Sequence, residues 1–337
     1  MKLKLAIVIL NYNGRSFLEK FLPSLLSHTP DYAEVIVADN ASTDDSVAFM
    51  KANYPQMRLI LNDRNYGFAG GYNVALEQIE AEYFCLLNSD IEVADGWVQP
   101  VMEVMDADAQ IAAVQPKLRS YAEREKFEYA GACGGFIDKY GYPFCRGRMF
   151  DTVETDNGQY DTPMDIFWAT GAALFVRSDV YRKVGGLDAD FFAHMEEIDL
   201  CWRIRNAGYR IVVEPRSVVY HVGGGTLPKN NSFKTFLNFR NNHFLLIKNL
   251  PARRLFPTFW ARLFLDNLAA FVFLLQRHGR DFLAVYKAQF AVLSQYRKMK
   301  AKRKGMSFEA YKDVCHTSIL FQYHIKRKHR FDGQSFH

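Results

Sequence analysis

Four short apolar runs in the first 90 residues constrain the fold of this chain. They cover residues 3–10, 34–39, 57–62 and 83–88, and segments with helical spacing of apolar residues separate them. We expect the glycine-rich segment at 65–73 to be a turn that leads into a helix, and we expect two further strands at 209–214 and 217–222. Strands that alternate with helices predict right-handed crossovers and a mostly parallel central sheet with helices on both faces. The first run is short for a signal peptide and no small-residue cleavage site follows it, so we interpret it as the first strand.

Polar side chains follow three of these predicted strands. Asn11 follows the first strand, Asp39 ends the second, and Asn88 and Asp90 follow the fourth. Ligands of open α/β sheets bind at the carboxyl ends of the strands. Asp90 would be a hard oxygen ligand for Mg²⁺ or Mn²⁺, which usually takes only one or two protein carboxylates. The alternative is that Asn88 and Asp90 only form an Asx turn.

A second group of polar residues lies in residues 191–209. Glu196, Glu197 and Asp199 crowd the first turn of a predicted helix. Acidic residues there stabilise the helix dipole, and Asp199 is spaced to pair with Arg203. A carboxylate that faces a cleft could instead act as a general base. His221 ends a predicted strand and could ligate a metal, or it could be an ordinary histidine.

The sequence lacks the motifs of several protein classes, which argues against those classes. The glycine-rich segment at 67–71 has neither G-x-G-x-x-G nor a Walker lysine, which argues against a Rossmann dehydrogenase. The sequence also has no G-x-S-x-G elbow. Its five cysteines are scattered and form no C-x-x-C pair, which indicates a reducing compartment rather than disulfides or a zinc knuckle.

The C-terminal third has a different character. From Thr226 onward the sequence holds 21 Lys and Arg against 5 Asp and Glu, whereas the part before it holds 21 against 32. Such a basic tail suggests an anionic surface, either membrane or nucleic acid. Residues 255–275 are very apolar, but Arg262, Asp266 and Pro257 argue against a membrane span. An interfacial helix and a helix packed on the core both remain open, and we expect no nucleic-acid partner because no recognised binding motif is present.

Seven motifs occur in a fixed order: LAIVILNYNG, VIVADNASTDDS, NYGFAGGYN, LLNSDIEV, ATGAALFVR, GGLDADFFAHMEEIDLCWRIRNAGY and VVYHVGGGT. Together they resemble the family-2 inverting glycosyltransferases of the GT-A fold, in particular the bacterial rhamnosyltransferase-like branch. The resemblance implies a GT-A domain over residues 1–226 with a variable insert at 119–165 over the site. A basic amphipathic helical tail would follow at 227–337.

The resemblance also implies roles for individual residues. Asp90 and His221 would hold the metal, although this chain has Asn88 where the family motif has Asp. Glu197 would be the catalytic base, with Glu196 as the alternative, because the pair falls on the family's Glu-Asp. Residues expected to contact the substrates are Asn11, Asp39, Asn65, Gly67, Asn88, Gly171 and Asp199.

The resemblance implies transfer of a sugar from a nucleotide-diphosphate sugar, either deoxythymidine-diphosphate rhamnose or a uridine-diphosphate hexose. The acceptor would be a hydroxyl of a glycan or polyprenyl-linked glycan in cell-surface polysaccharide synthesis. The expected location is the cytoplasm, at the cytoplasmic face of the inner membrane. Two alternatives remain: a catalytically dead, membrane-associated scaffold that binds nucleotide sugars, and a sugar-phosphate nucleotidyltransferase, which would carry an Arg-rich glycine loop in place of the sequence from Asn11 to Gly14.

Overall fold

The computed structural model describes residues 3–223 and 231–331. The first part of the chain alternates strands and helices, as predicted. Its elements are β1 (Leu3–Asn11), α1 (Arg15–Ser27), β2 (Ala33–Asp39), α2 (Ser46–Asn53), β3 (Arg58–Leu61), α3 (Gly67–Leu76), β4 (Ala81–Asn88) and β5 (Ile91–Val93). The pattern predicted β1 to β4 and the helices between them because each of these strands is a mostly apolar run, whereas β5 was not predicted.

The middle part completes the sheet and adds a small second one. It contains α4 (Gln99–Ala107), β6 (Ile111–Ser120), β7 (Gly135–Ile137), β8 (Pro143–Cys145), β9 (Arg148–Met149), β10 (Thr152–Val153), β11 (Met164–Asp165), β12 (Ala173–Arg177), α5 (Ser178–Lys183), α6 (Glu196–Asn206) and β13 (Arg210–His221). Strands β7 to β10 form the second sheet within the region predicted as an insert.

The main sheet has the strand order β11-β13-β6-β12-β4-β1-β2-β3, with β5 paired to β13. Strand β1 pairs in parallel with β2 and β4, β2 with β3, and β6 with β13. Strand β12 runs antiparallel between β4 and β6. The prediction of a mixed α/β fold with a mostly parallel central sheet is confirmed, and the parallel pairing brings the carboxyl ends of β1, β2 and β4 to one edge.

The structure corrects the prediction for the glycine-rich segment at 65–73, which we expected to be a turn. Helix α3 already begins at Gly67. Two of its glycines allow close packing: a Cβ on Gly71 would lie 2.9 Å from the Leu10 side chain, and one on Gly70 would lie 3.0 Å from Tyr66. The glycines therefore let this helix approach β1, and they do not break it.

A second correction concerns the strands expected at 209–214 and 217–222. They are one strand, β13, whose register against β6 shifts between Glu214 and Val218. A bulge of this kind adds residues to one strand and bends it without ending the pairing. As a result the single strand reaches from Arg210 to His221.

Three long helices follow: α7 (Ser232–Asn249), α8 (Ala252–Leu275) and α9 (Gly279–Ala301). Helix α7 belongs to the same hydrophobic core as the sheet, since Phe244, Leu245 and Leu246 are fully buried within it. The predicted boundary between residues 226 and 227 lies outside the described residues, as do Gly224, Gly225 and Thr226 of the VVYHVGGGT motif. The division into two domains stays a prediction.

Candidate active site

The carboxyl ends of β1 and β2 place Asn11 beside Asp39, its partner in the parallel register. The Asn11 side-chain amide donates to Asp39 Oδ2 at 2.9 Å, and the backbone N–H of Ser42 donates to Asp39 Oδ1 at 2.8 Å. Both side chains are buried. These two bonds fix the plane of the Asp39 carboxylate at the sheet edge.

Asn40, which the sequence argument missed, organises the adjacent loop. Its side-chain amide donates to Asn65 Oδ1 and to the Gly67 carbonyl, both at 3.0 Å, and its Oδ1 accepts from Asn62 at 3.0 Å. Gly67 has a φ of +73°, and a Cβ there would lie 2.5 Å from the Phe192 ring. Asn40 directly follows Asp39, the last residue of β2. Its position at the end of a strand is the sequence feature that could have identified it.

Asp90 and His221 lie together, as predicted. Asp90 Oδ1 is 3.2 Å from His221 Nε2, and Asn88 Nδ2 is 3.5 Å from the same nitrogen. Neighbouring ligands of an octahedral ion bound at 2.0–2.1 Å lie about 3.0 Å apart, so this oxygen and nitrogen have the separation that one Mg²⁺ requires. An oxygen and an imidazole nitrogen also suit Mn²⁺. The two residues therefore fit a divalent metal.

Glu128 supports this pair, and no motif indicated it. Its Oε1 lies 3.4 Å from His221 Nδ1, and its side chain is buried. Burial alone would lower the pKa of His221, but Glu128 and Asp90 outweigh it and raise that pKa to about 10. Burial opposes ionisation of Asp90, yet His221 keeps the pKa of Asp90 below its ordinary value. A bound metal would displace the proton of His221 Nε2, and Glu128 would then orient the ring through Nδ1.

Glu196 and Glu197 begin α6 and lack partners for one oxygen each. Within the described residues, Oε2 of each side chain is buried and accepts no hydrogen bond. Burial raises the pKa of Glu197 to about 7, and burial together with the charge of Glu197 raises the pKa of Glu196 well above its ordinary value. A carboxylate that titrates near neutrality can accept and release a proton during turnover.

Gly171 and Phe68 connect this acidic pair to the loop at Gly67. A Cβ on Gly171 would lie 3.2 Å from the Phe68 ring and 3.6 Å from the Glu197 Cβ. The backbone N–H of Phe68 donates to the carbonyl of Phe192 at 2.8 Å. The predicted residues Gly67, Gly171 and Glu197 are thus linked through Phe68, which the sequence argument did not single out.

Asp199 differs from its two acidic neighbours. Its carboxylate accepts from Lys248 at 2.7 Å, from Arg203 at 2.9 Å and from Asn249 at 2.9 Å, and it is fully buried. Burial opposes its ionisation, but Lys248 and Arg203 lower its pKa. We therefore propose that Asp199 anchors α6, in place of the substrate contact expected from the sequence.

Comparison with known proteins identifies the family. Residues 6–179 match the family model described as glycosyl transferase family 2. The chain belongs to glycosyltransferase family 2. Transferase activity follows from that membership. Neither a dead scaffold nor a nucleotidyltransferase is therefore the leading interpretation.

Two curated relatives show the branch of the family. The chain is 26% identical over 235 residues to the N-acetylglucosaminyl-diphospho-decaprenol L-rhamnosyltransferase of Mycobacterium tuberculosis, covering 64% of this chain and 75% of that protein. It is 22% identical over 246 residues to the low-salt glycan biosynthesis hexosyltransferase Agl10 of Haloferax volcanii, covering 70% and 73%. The rhamnosyltransferase-like resemblance is confirmed.

Solved structures of glycosyltransferases share the fold. GalNAc-T7 with UDP, GalNAc and Mn²⁺ aligns with a TM-score of 0.64 at 16% identity, over 97% of this chain and 57% of that one. The mannosyltransferase PcManGT of Pyrobaculum calidifontis, in complex with GDP-Man and Mn²⁺, aligns with a TM-score of 0.52 at 14% identity, over 90% and 84%. At these identities the likeness confirms the GT-A fold class, and the individual residue roles remain predictions.

Proposed function

We propose that this family-2 enzyme transfers a sugar, with inversion, from a nucleotide-diphosphate sugar to a hydroxyl of a lipid-linked glycan. One arrangement carries the proposal: Asp90 Oδ1 lies 3.2 Å from His221 Nε2 and has a lowered pKa, while Glu197 has a buried oxygen with no hydrogen-bond partner within the described residues and a pKa raised to about 7. Acidic groups whose pKa values are driven apart by their surroundings take different chemical roles. A carboxylate with a low pKa suits a cation, and one with a pKa near neutrality suits proton transfer.

The donor would bind along the sheet edge. Asp39, oriented by Asn11, would accept the ring N–H of a uracil or thymine base. Asp90 and His221 would hold Mg²⁺ or Mn²⁺, which when bound neutralises the charge that develops on the leaving diphosphate. The named activity of the mycobacterial relative favours deoxythymidine-diphosphate rhamnose, and a uridine-diphosphate hexose is the second candidate.

Glu197 would act on the acceptor. Its carboxylate takes the proton of the acceptor hydroxyl while the hydroxyl oxygen forms a bond to the anomeric carbon. The bond from that carbon to the diphosphate oxygen breaks, and the nucleoside diphosphate leaves. Attack from the face opposite the leaving group inverts the anomeric centre. Gly171 allows the backbone to pass close to Phe68 and Glu197, because a Cβ there would lie 3.2 Å from the Phe68 ring and 3.6 Å from the Glu197 Cβ.

The acceptor would be linked to a polyprenyl lipid, as the name of the mycobacterial relative indicates for that protein. Helix α8 supports contact with a membrane, because Phe256, Trp260 and Phe264 on one face are 72%, 56% and 64% exposed. On the other face Arg262 and Asp266 are buried and paired with each other. By length and composition α8 is the one helix in the described ranges that could cross a membrane.

We infer that α8 lies in the surface of the cytoplasmic leaflet instead of spanning it, since Arg262 and Asp266 near its middle face the protein. Arg253 and Arg254 at its start would contact anionic headgroups. Flotation with anionic and with neutral vesicles tests this. Binding that needs anionic lipid and weakens in Phe264→Asp is expected, whereas equal flotation of both proteins would contradict it.

The central experiment is calorimetric titration of the purified protein with nucleoside diphosphates, first with Mn²⁺ and then with EDTA. We expect one pyrimidine nucleotide to bind, and chelation to abolish that binding. Proton NMR of the glycoside formed from the matching donor then reports its anomeric configuration. No nucleotide binding in either condition, or a product that retains the donor configuration, would overturn the proposal.

A further inference from the structure

The loop that leads into Glu196 has an unusual backbone. Phe192, His194 and Met195 have φ angles of +68°, +68° and +71°. The left-handed region is unfavourable for residues with a Cβ, and three such residues within four persist only where the surroundings hold them. Met195 is also the residue from which α6 starts. The direction in which Glu196 and Glu197 project therefore depends on whatever holds this loop.

One side chain of α7 contacts most of the carbonyls in that loop. The Asn241 amide nitrogen lies 2.9, 2.8 and 2.7 Å from the carbonyl oxygens of Phe191, Ala193 and His194. Asn241 is fully buried. Its two N–H groups serve three acceptors, so one bond is shared. Carbonyl groups of this irregular loop thus receive hydrogen bonds from a residue about fifty positions later in the sequence.

Arg240 completes this arrangement. Its Nε donates to Asn241 Oδ1 at 2.9 Å, which fixes the amide with its nitrogen toward the loop. Its Nη2 donates to the carbonyls of Asp190 and Phe191 at 3.1 and 2.8 Å. On the opposite side the carbonyl of Phe192 accepts from Phe68 in α3. The loop is held between α7 and α3.

We propose that Asn241, oriented by Arg240, is a positioning residue that holds residues 191–195 in the conformation that aims Glu197 at the acceptor. The proposal rests on the proposed function, because it takes Glu197 as the base. It gives the C-terminal helices a part in catalysis that is separate from any contact with a membrane.

The chain offers a matched control on the same helix. Asn242 is also buried, but its side chain donates to the carbonyl of Gly141, between β7 and β8. Asn241→Leu and Asn242→Leu each remove one buried amide from α7. Only Asn241→Leu removes the Asn241 amide that donates to the loop carbonyls. A general loss of stability would therefore appear in both variants, whereas a positioning effect would appear only in Asn241→Leu.

We expect Asn241→Leu to lower kcat by about 10- to 100-fold, the loss that a misplacement of roughly 1 Å produces. Metal-dependent affinity for the nucleoside diphosphate should stay within about twofold, because within the described residues Asp39, Asp90 and His221 make no hydrogen bond with Asn241 or with residues 191–195. Asn242→Leu should keep kcat within about twofold of the parent protein. Turnover with the donor, calorimetry with the nucleotide and thermal unfolding are measured on all three proteins.

Arg240→Met covers the case in which Asn241→Leu does not fold, since Arg240 is only half-buried. It should lower kcat by about fivefold or more, again with unchanged nucleotide affinity. Equal kcat losses at positions 241 and 242, or parent-like kcat in a folded position-241 variant, would overturn the proposal. Glu197→Gln is measured alongside. If Glu197→Gln stays active, the assignment of Glu197 as the base has failed. If it is inactive while Asn241→Leu has a parent-like kcat, only the positioning role of Asn241 has failed.

Discussion

Replacing Glu197 by Gln separates the catalytic cost of this residue from its effect on stability. Glutamine keeps the shape of the side chain and removes the group that accepts the proton. Loss of a general base costs about 10²- to 10⁴-fold in kcat. We therefore expect Glu197→Gln to lose at least about 99% of its turnover while it still binds the nucleoside diphosphate with the metal.

The same substitution should stabilise the protein. Burial moves the pKa of Glu197 from 4.5 to about 7, which corresponds to about 3 kcal/mol of unfavourable free energy for the ionised folded state. Below pH 4.5 both folded and unfolded chains are protonated, so no cost arises. As the pH rises to 7 the unfolded chain ionises first, and stability falls. Above pH 7 the full cost is present.

The assay is chemical denaturation of parent and Glu197→Gln at pH 5, 6, 7 and 8, together with the pH dependence of kcat/KM. The stabilisation should grow with pH and approach about 3 kcal/mol at pH 8. The parent kcat/KM should rise through pH 7, because only the ionised carboxylate accepts a proton. A stability difference that is independent of pH, or more than about a tenth of the parent turnover in the variant, would refute this reasoning.

Three further predictions use the neighbouring residues. Asp199→Asn should destabilise the protein by about 1–3 kcal/mol at pH 7, because it removes the carboxylate that pairs with Lys248 and Arg203, while Asp188 still pairs with Lys248. The loss should shrink as the pH falls through the lowered pKa of Asp199, and denaturation at several pH values checks this. Asp90→Asn should abolish the difference in nucleotide affinity between Mn²⁺ and EDTA, measured by calorimetry, with a single cooperative thermal unfolding transition as evidence of folding. Gly67→Ala should weaken nucleotide binding and lower Tm, because its Cβ would meet Phe192 at a positive φ; parent-like values of both would contradict the role of this glycine.

Two of the three acidic residues of α6 lie close in sequence but in opposite environments. Glu197 and Asp199 are two positions apart, yet the first has an unpartnered oxygen and the second meets Lys248, Arg203 and Asn249. On a helix, residues two apart do not share a face. The side of α6 that faces α7 carries the ionised Asp199, which has a structural role. The side toward Gly171 carries Glu197, whose pKa is about 7.

The sequence determined the alternation of strands and helices and the polar residues at the strand ends. Short continuous apolar runs that alternate with helical segments are typical of strands in a parallel sheet, and parallel pairing then aligns their carboxyl ends. That reasoning was enough to place Asn11, Asp39 and Asn88 at one edge. It rests on local pattern and on rules of pairing that hold for any such chain.

Only the tertiary structure decided which of these groups have partners. Glu128 reaches His221 from the insert, and Asn241 reaches the loop before Glu196 from a helix beyond the sheet. Neither residue belongs to a motif, because one contact across the fold needs one side chain of suitable shape and imposes no spacing on the chain. The i, i+4 spacing predicted the pair of Asp199 and Arg203, which the structure contains, but the pattern could not show that Glu197 keeps a buried oxygen without a partner, because burial and charge at each carboxylate depend on distant contacts.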